Sequence, residues 1–123
     1  MLLDTHAWVE FFNGSEKGKK VKKILEEKRC FTSIVSLAEI AECCLRCGET
    51  PEKFVKKIKE LSTILTLDEA TSVSAGKINF YRKKVVKNWG MLDSFILASS
   101  LVFGLKIVTG DLHFKDLPNV VIL

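Results

Sequence analysis

The spacing of apolar residues changes period several times along this chain, and each change marks an element. Leu2 and Leu3 form a short apolar opening that Asp4 ends. Ala7, Trp8, Phe11 and Phe12 then recur at helical spacing, which predicts a helix from Thr5 to Phe12 with Asp4 as its N-cap. Asn13, Gly14 and Ser15 make a turn. Val21, Ile24 and Leu25 give the inner face of a second helix, whose outer face carries five lysines between Lys17 and Lys23. Cys30 to Val35 reads as a strand. Ser36 and Glu39 form an S-x-x-E pattern, the capping-box signature of a helix start, with Leu37, Ile40, Ala41, Cys44 and Leu45 inward. Thr50 and Pro51 open another helix, the proline at its favoured first position, with Phe54, Val55, Ile58 and Leu61 facing the core. Thr63 to Leu67 is a strand, and Asp68 caps a helix running through Val73, Ile78 and Phe80 to about Val86.

The most apolar stretch follows, GMLDSFILASSLVFGLKIVTGD from Gly90 to Asp111. Phe95, Leu97, Ala98, Leu101 and Val102 predict a helix that is buried rather than surface-lying. Gly104 is its expected stop, because helices commonly end on a residue in the left-handed region. Leu105 to Thr109 reads as a strand covered on both faces. A turn from Leu112 to Leu117 follows, Pro118 breaks it, and Val120 to Leu123 closes as a last strand. Alternating strands and helices predict an α/β sandwich around a mostly parallel sheet. With 123 residues and no repeat, linker or low-complexity segment, residues 1–123 are expected to form a single domain.

Composition narrows the class without naming it. Hydrophobic residues at 47% and charged residues at 28% match an ordinary globular profile. No apolar run approaches the ~20 residues needed to cross a bilayer. The first residues, MLLDTHAW, lack the basic and long apolar regions of a signal peptide, so a cytoplasmic location is expected. The net charge of +4 is compatible with an anionic partner. Cys30, Cys43, Cys44 and Cys47 include a CxxC, yet no histidine lies near them for zinc and the motif closes a helix instead of opening one. They are expected to serve as small buried apolar residues.

Four acids stand out by position. Asp4 follows the first strand, Glu39 enters the helix after the second, Asp93 enters the apolar helix, and Asp111 follows the strand after it. Each has a local explanation, Asp4 as an N-cap and Glu39 as the partner of Ser36 in a capping box. Together they lie at carboxyl ends of strands or at starts of helices, which share one edge of a parallel sheet. Carboxylates gathered there repel one another unless neutralised. Lys106 and Lys115 are the only cations close in sequence to the strand-end acids, so a hard divalent cation, Mg²⁺ or Mn²⁺, is the economical neutraliser. Such an ion suits phosphate chemistry, where it activates water and stabilises a departing oxygen. His6 and His113 are expected at the rim of this crevice, His6 more as an orienting residue than a chemical one.

The segments LLDTHAW, SIVSLAE, MLDSFILA and IVTGDLHF, in this order, resemble the PIN domain family, most closely the VapC-type toxin ribonucleases. The resemblance spans essentially the whole chain. It implies a three-layer α/β/α sandwich with a central, mostly parallel sheet and a Mg²⁺- or Mn²⁺-dependent endoribonuclease. It further implies metal ligation by Asp4, Asp93 and Asp111, with Glu39 as the fourth catalytic acid. Thr5 and Thr109 would support the acids, with Ser36 beside Glu39. Ser94 departs mildly from the alanine common there, and Asp116 is a peripheral acid. The resemblance also implies a homodimer and a VapB-type antitoxin whose tail enters the acidic groove. Trp8, Phe11 and Phe12 are candidates for the dimer interface, and core packing explains them equally.

Upstream of Asp93, the run YRKKVVKNW places aromatics at both ends of a basic stretch. It reads either as a solvated helix end or as a contact for single-stranded RNA through Arg82, Lys83, Lys84 and Trp89. Two rivals to the enzyme are a catalytically inactive PIN-like RNA-binding protein and a doubly wound signalling module of receiver type. The latter wants paired acids after the first strand and an aspartate closing a central one, and the Cys30–Val35 strand ends without it.

Overall fold

The computed structural model describes residues 1–123 as five short strands and six α-helices. In order they are β1 (Leu2–Leu3), α1 (Thr5–Asn13), α2 (Glu16–Glu27), β2 (Phe31–Ser33), α3 (Ile34–Arg46), α4 (Pro51–Leu61), β3 (Thr63–Leu65), α5 (Glu69–Arg82), α6 (Met91–Phe103), β4 (Ile107–Thr109) and β5 (Val120–Ile122). The sheet runs β3-β2-β1-β4-β5, and every neighbouring pair is parallel. β1 is central, with Leu2 opposite Phe31 on one side and Ile107 on the other.

Alternation along such short strands still separates two cores. Leu3 and Val108 pack with Trp8, Val21, Ile40 and Ile58, so α1 to α4 cover one face. Leu2 and Ile107 pack with Trp89, Ile96, Leu97 and Phe114, so α6, with Ile78 of α5, covers the other. This is the expected α/β/α arrangement, with a sheet buried on both faces.

Local chemistry sets most boundaries. Asp4 caps α1 by accepting from the Ala7 N–H at 2.9 Å, and Asp68 caps α5 by accepting from Thr71 at 2.7 Å. Gly14 and Gly104 end α1 and α6 in the left-handed region, each at φ 64°. Pro51 opens α4 as expected.

Other expectations shift. β2 stops at Ser33, where its pairing with β3 ends, and α3 begins at once with Ser33 as N-cap. Ser36 therefore lies inside α3, and Ser36–Glu39 is no capping box. β3, β4 and β5 are shorter than their apolar runs. α5 ends at Arg82 rather than Val86, because Arg82 and Trp89 are drawn into tertiary contacts, and the chain turns through Asn88 at φ 65°. Nor is α6 buried all round: Leu101, Val102 and Phe103 are exposed at its C-terminal end. Leu45, Val73 and Phe80 also face solvent. The cysteines are unpaired; Cys30 and Cys44 are buried as expected, whereas Cys47 is exposed. Trp8 is fully buried and so belongs to the core; it stacks on Phe12, which meets Phe54 edge-on, and Phe11 and Phe12 are part-buried against that core.

Candidate metal centre

The carboxyl ends of β1 and β4 lie side by side because these strands are adjacent and parallel. The Asp4 N–H donates to the Val108 carbonyl at 3.2 Å, which seats Asp4 next to Thr109. Asp4 is 5% exposed. One of its oxygens accepts from Ala7 and the other from the Thr109 hydroxyl. The same Thr109 oxygen accepts from the Asp111 N–H at 2.9 Å, so one buried hydroxyl ties the two acids' segments together. Burial pushes the Asp4 carboxyl up to about 6, against the pull of the Thr109 and Ala7 hydrogen bonds.

Asp93 lies in the first turn of α6, and its carboxylate accepts from the Gly90 N–H at 3.0 Å. Glycine has no side chain to answer, so this is half of a capping box. Burial raises the Asp93 carboxyl, the Gly90 bond lowers it, and the charge of Asp111 raises it further.

Asp111 caps a 3₁₀ turn, Leu112–Phe114, by accepting from the His113 N–H at 2.9 Å. The His113 Nδ1 lies 3.3 Å from the same carboxylate oxygen, and the His6 Nε2 lies 3.8 Å from the other. Asp93, Asp111 and His113 each offer one ligand atom, all within 4.8 Å of one another. Opposite ligands of Mg²⁺, each at about 2.1 Å, stand about 4.2 Å apart.

Glu39 approaches from α3. Its carboxylate accepts from the Thr5 hydroxyl at 2.7 Å, which links it to the residue after Asp4. Thr5, His6 and Glu39 line a groove between α1 and α3 with Val9, Cys43 and Arg46. Ser36, one turn before Glu39 on the same face of α3, is fully buried and its hydroxyl has no hydrogen-bond partner. The donor set fits a divalent cation: two carboxylates and an imidazole in ligand range, beside a third carboxylate kept out of water.

The structure thus gathers Asp93 and Asp111, joins Asp4 to Asp111 through Thr109, and ties Glu39 to the same junction through Thr5. Two residues weighed differently from sequence change role. His113, expected at the rim, stands within ligand range of two acids. Asp116, expected to be peripheral, takes both prongs of the Arg82 guanidinium at 2.9 and 3.1 Å. That pairing, together with burial, removes two of the expected RNA contacts. Arg82 also donates to the His113 carbonyl at 3.0 Å and lies over the Trp89 ring, 4.2 Å from its centre. Trp89 is 3% exposed, and its indole N–H donates to Ser94 at 2.7 Å, so no base can stack on it. Lys83 and Lys84 remain exposed.

Several solved structures share this fold. A toxin–antitoxin complex from Klebsiella pneumoniae superposes with a TM-score of 0.77 at 19% identity, covering 98% of this chain and 94% of that one. VapC20 of Mycobacterium tuberculosis, a sarcin-ricin loop cleaving toxin, gives 0.76 at 16% identity, covering 97% and 95%. VapBC2 of Rickettsia felis, bound to a DNA fragment from its promoter, gives 0.76 at 14% identity, covering 99% and 96%. No curated protein matches the sequence. The sequence itself matches the PIN domain over residues 1–120, in agreement with the all-parallel sheet and its acidic edge, and the chain therefore belongs to the PIN domain family.

Proposed function

We propose that this chain is a divalent-metal-dependent endoribonuclease, the toxin of a VapBC-type pair acting in the cytoplasm. The observation that carries the reading is the convergence of Asp93, Asp111 and His113 within 4.8 Å beside the buried Asp4. That the neighbouring folds belong to toxin–antitoxin proteins, one of them named as an RNA-loop cleaving toxin, supports the choice of substrate.

Asp4, Asp93 and Asp111 are the acids that would hold a Mg²⁺ or Mn²⁺ ion. When bound, the ion supplies a more acidic water and a counter-charge for the departing oxygen. Glu39, fixed by Thr5, positions the attacking water in the α1–α3 groove. Thr109 holds Asp4 and the Asp111 backbone in register, so neither acid reorganises as the substrate arrives. Ser36, expected to support Glu39, makes no hydrogen bond to it; the partner of the Glu39 carboxylate is the Thr5 hydroxyl. Water adds to phosphorus and gives its proton to Glu39, the bond from phosphorus to the leaving oxygen breaks, and that oxygen takes a proton from solvent. Exposed Lys83 and Lys84 contact the RNA backbone.

The partners in this reading are an RNA substrate, a VapB-type antitoxin whose tail lies in the acidic groove, and a second copy of the chain. The test is digestion of total RNA with Mg²⁺ or Mn²⁺ and mapping of the cut ends. Asp93→Asn and Asp4→Asn are expected to abolish cleavage while remaining folded, and EDTA to stop the wild type. Cleavage by either variant, or in excess EDTA, would overturn the mechanism. RNA binding without cleavage by the wild type would identify the inactive binding protein instead.

A further inference from the structure

We infer that His113 supplies a ring nitrogen to the metal, and that this nitrogen makes the centre select Mn²⁺ over Mg²⁺. The inference rests on the metal-dependent reading of the same site and deepens it.

The first support is position. Of the two histidines, only His113 lies within ligand range of both Asp93 and Asp111. His6 comes no nearer than 3.8 Å to Asp111, on a side chain 61% exposed.

The second support is that the His113 backbone is fixed on both sides. Its N–H donates to Asp111 and its carbonyl accepts from Arg82. Arg82 is itself held by the forked pair with Asp116 and the face of Trp89. The Arg82 Nε is buried without a partner, a cost accepted by a guanidinium whose other nitrogens are committed to this geometry. The next residue, Phe114, is fully buried against Trp89 at 4.9 Å. The turn that carries the imidazole is thus anchored at three points before any ligand arrives, the kind of support that orients metal ligands elsewhere.

The third support is coordination chemistry. Mg²⁺ takes oxygen ligands and retains several waters, and gains little from an imidazole. A first-row transition ion accepts an imidazole nitrogen more readily than Mg²⁺ does, so replacing one water by His113 favours Mn²⁺ over Mg²⁺, and the later divalent ions more still.

Mn²⁺ and Mg²⁺ themselves are the probes. Titration calorimetry on the wild type is expected to give tighter binding of Mn²⁺ than of Mg²⁺. His113→Gln, which keeps the backbone N–H and is only part-buried, is expected to weaken Mn²⁺ binding about tenfold or more with Mg²⁺ little changed. Pulsed electron paramagnetic resonance of the Mn²⁺-loaded wild type should show coupling to a directly bound ¹⁴N nucleus, absent in His113→Gln. A wild type that binds Mn²⁺ without that coupling, or a variant with an unchanged Mn²⁺-to-Mg²⁺ ratio, overturns the role of His113 and leaves the acidic site standing. If Mn²⁺ does not bind at all, or binds Asp93→Asn as well as the wild type, the metal reading of the site fails and this inference falls with it.

Discussion

Asp4 shows what a single residue is asked to do here. It caps a helix, accepts from a buried threonine and is held out of water, with its carboxyl pushed up to about 6 from an ordinary 3.8. Between those values the folded chain binds more protons at Asp4 than the unfolded chain does. Its contribution to stability therefore falls as pH rises from about 4 to about 6, and levels off above. Asn also caps helices well and carries no charge. In EDTA, Asp4→Asn is expected to gain on the wild type as pH rises from about 4 to about 6, by roughly 2–3 kcal/mol at most. Urea denaturation of both proteins at pH 4.5 and 7 measures this. A difference independent of pH would mean that the buried carboxylate carries no such cost. A gain that grows with pH, in a variant that does not cleave RNA, is the pattern expected where a binding site holds a charge at the expense of stability.

At the scale of elements, two glycines make opposite predictions. A Cβ on Gly18 would stand 2.0 Å from the Glu10 carbonyl oxygen and 2.7 Å from its carbon. Both atoms are backbone, so α1 and α2 meet through this glycine and neither can yield by rotating a side chain. Gly18→Ala is expected to destabilise by about 1–3 kcal/mol, the usual cost of overpacking. Gly76 sits on the exposed side of α5 with nothing within 4 Å of such a Cβ. Gly76→Ala is expected to stabilise by about 0.5–1 kcal/mol, since alanine restricts the unfolded chain and favours the helix. Chemical denaturation midpoints of the two variants should move in opposite directions; a stabilising Gly18→Ala would refute the close helix contact.

For the whole molecule, the question is what covers the apolar end of α6. Leu101, Val102 and Phe103 are 60%, 52% and 50% exposed, one after another. Trp8 is sealed in the core and offers nothing to a partner. If the chain pairs with itself, as proposed, this consecutive apolar run is a surface that pairing would bury. Light scattering should then give twice the monomer mass. The double change Leu101→Ser with Phe103→Ser should halve that mass and remove the concentration dependence of Tm. A wild type that stays monomeric at high concentration excludes the dimer.

What the sequence determined by itself is what short-range chemistry decides. Asp4, Asp68 and Pro51 could be read as helix starts and Gly104 as a helix stop because a cap or a left-handed residue needs only its near neighbours. The strand-and-helix order, and with it the parallel sheet, followed from apolar periodicity, and so did the placement of Asp4, Asp93 and Asp111 at element ends; Glu39, expected at a helix start, lies in the second turn of α3. Only the tertiary structure decided where those ends meet. β1 lies beside β4, which joins Asp4 to Thr109 across 105 residues of sequence. The start of α3 moved from Ser36 to Ser33 because the helix begins where β2 stops pairing, and no residue in the S-x-x-E pattern records that. Arg82 and Trp89 looked like free RNA contacts because the groups that occupy them, Asp116, the His113 carbonyl and Phe114, lie some thirty residues away in the sequence. The same distance hid His113. It is an ordinary turn histidine until α6 brings Asp93 against it, and burial, strand adjacency and convergence of ligands are properties that no local window of the chain contains.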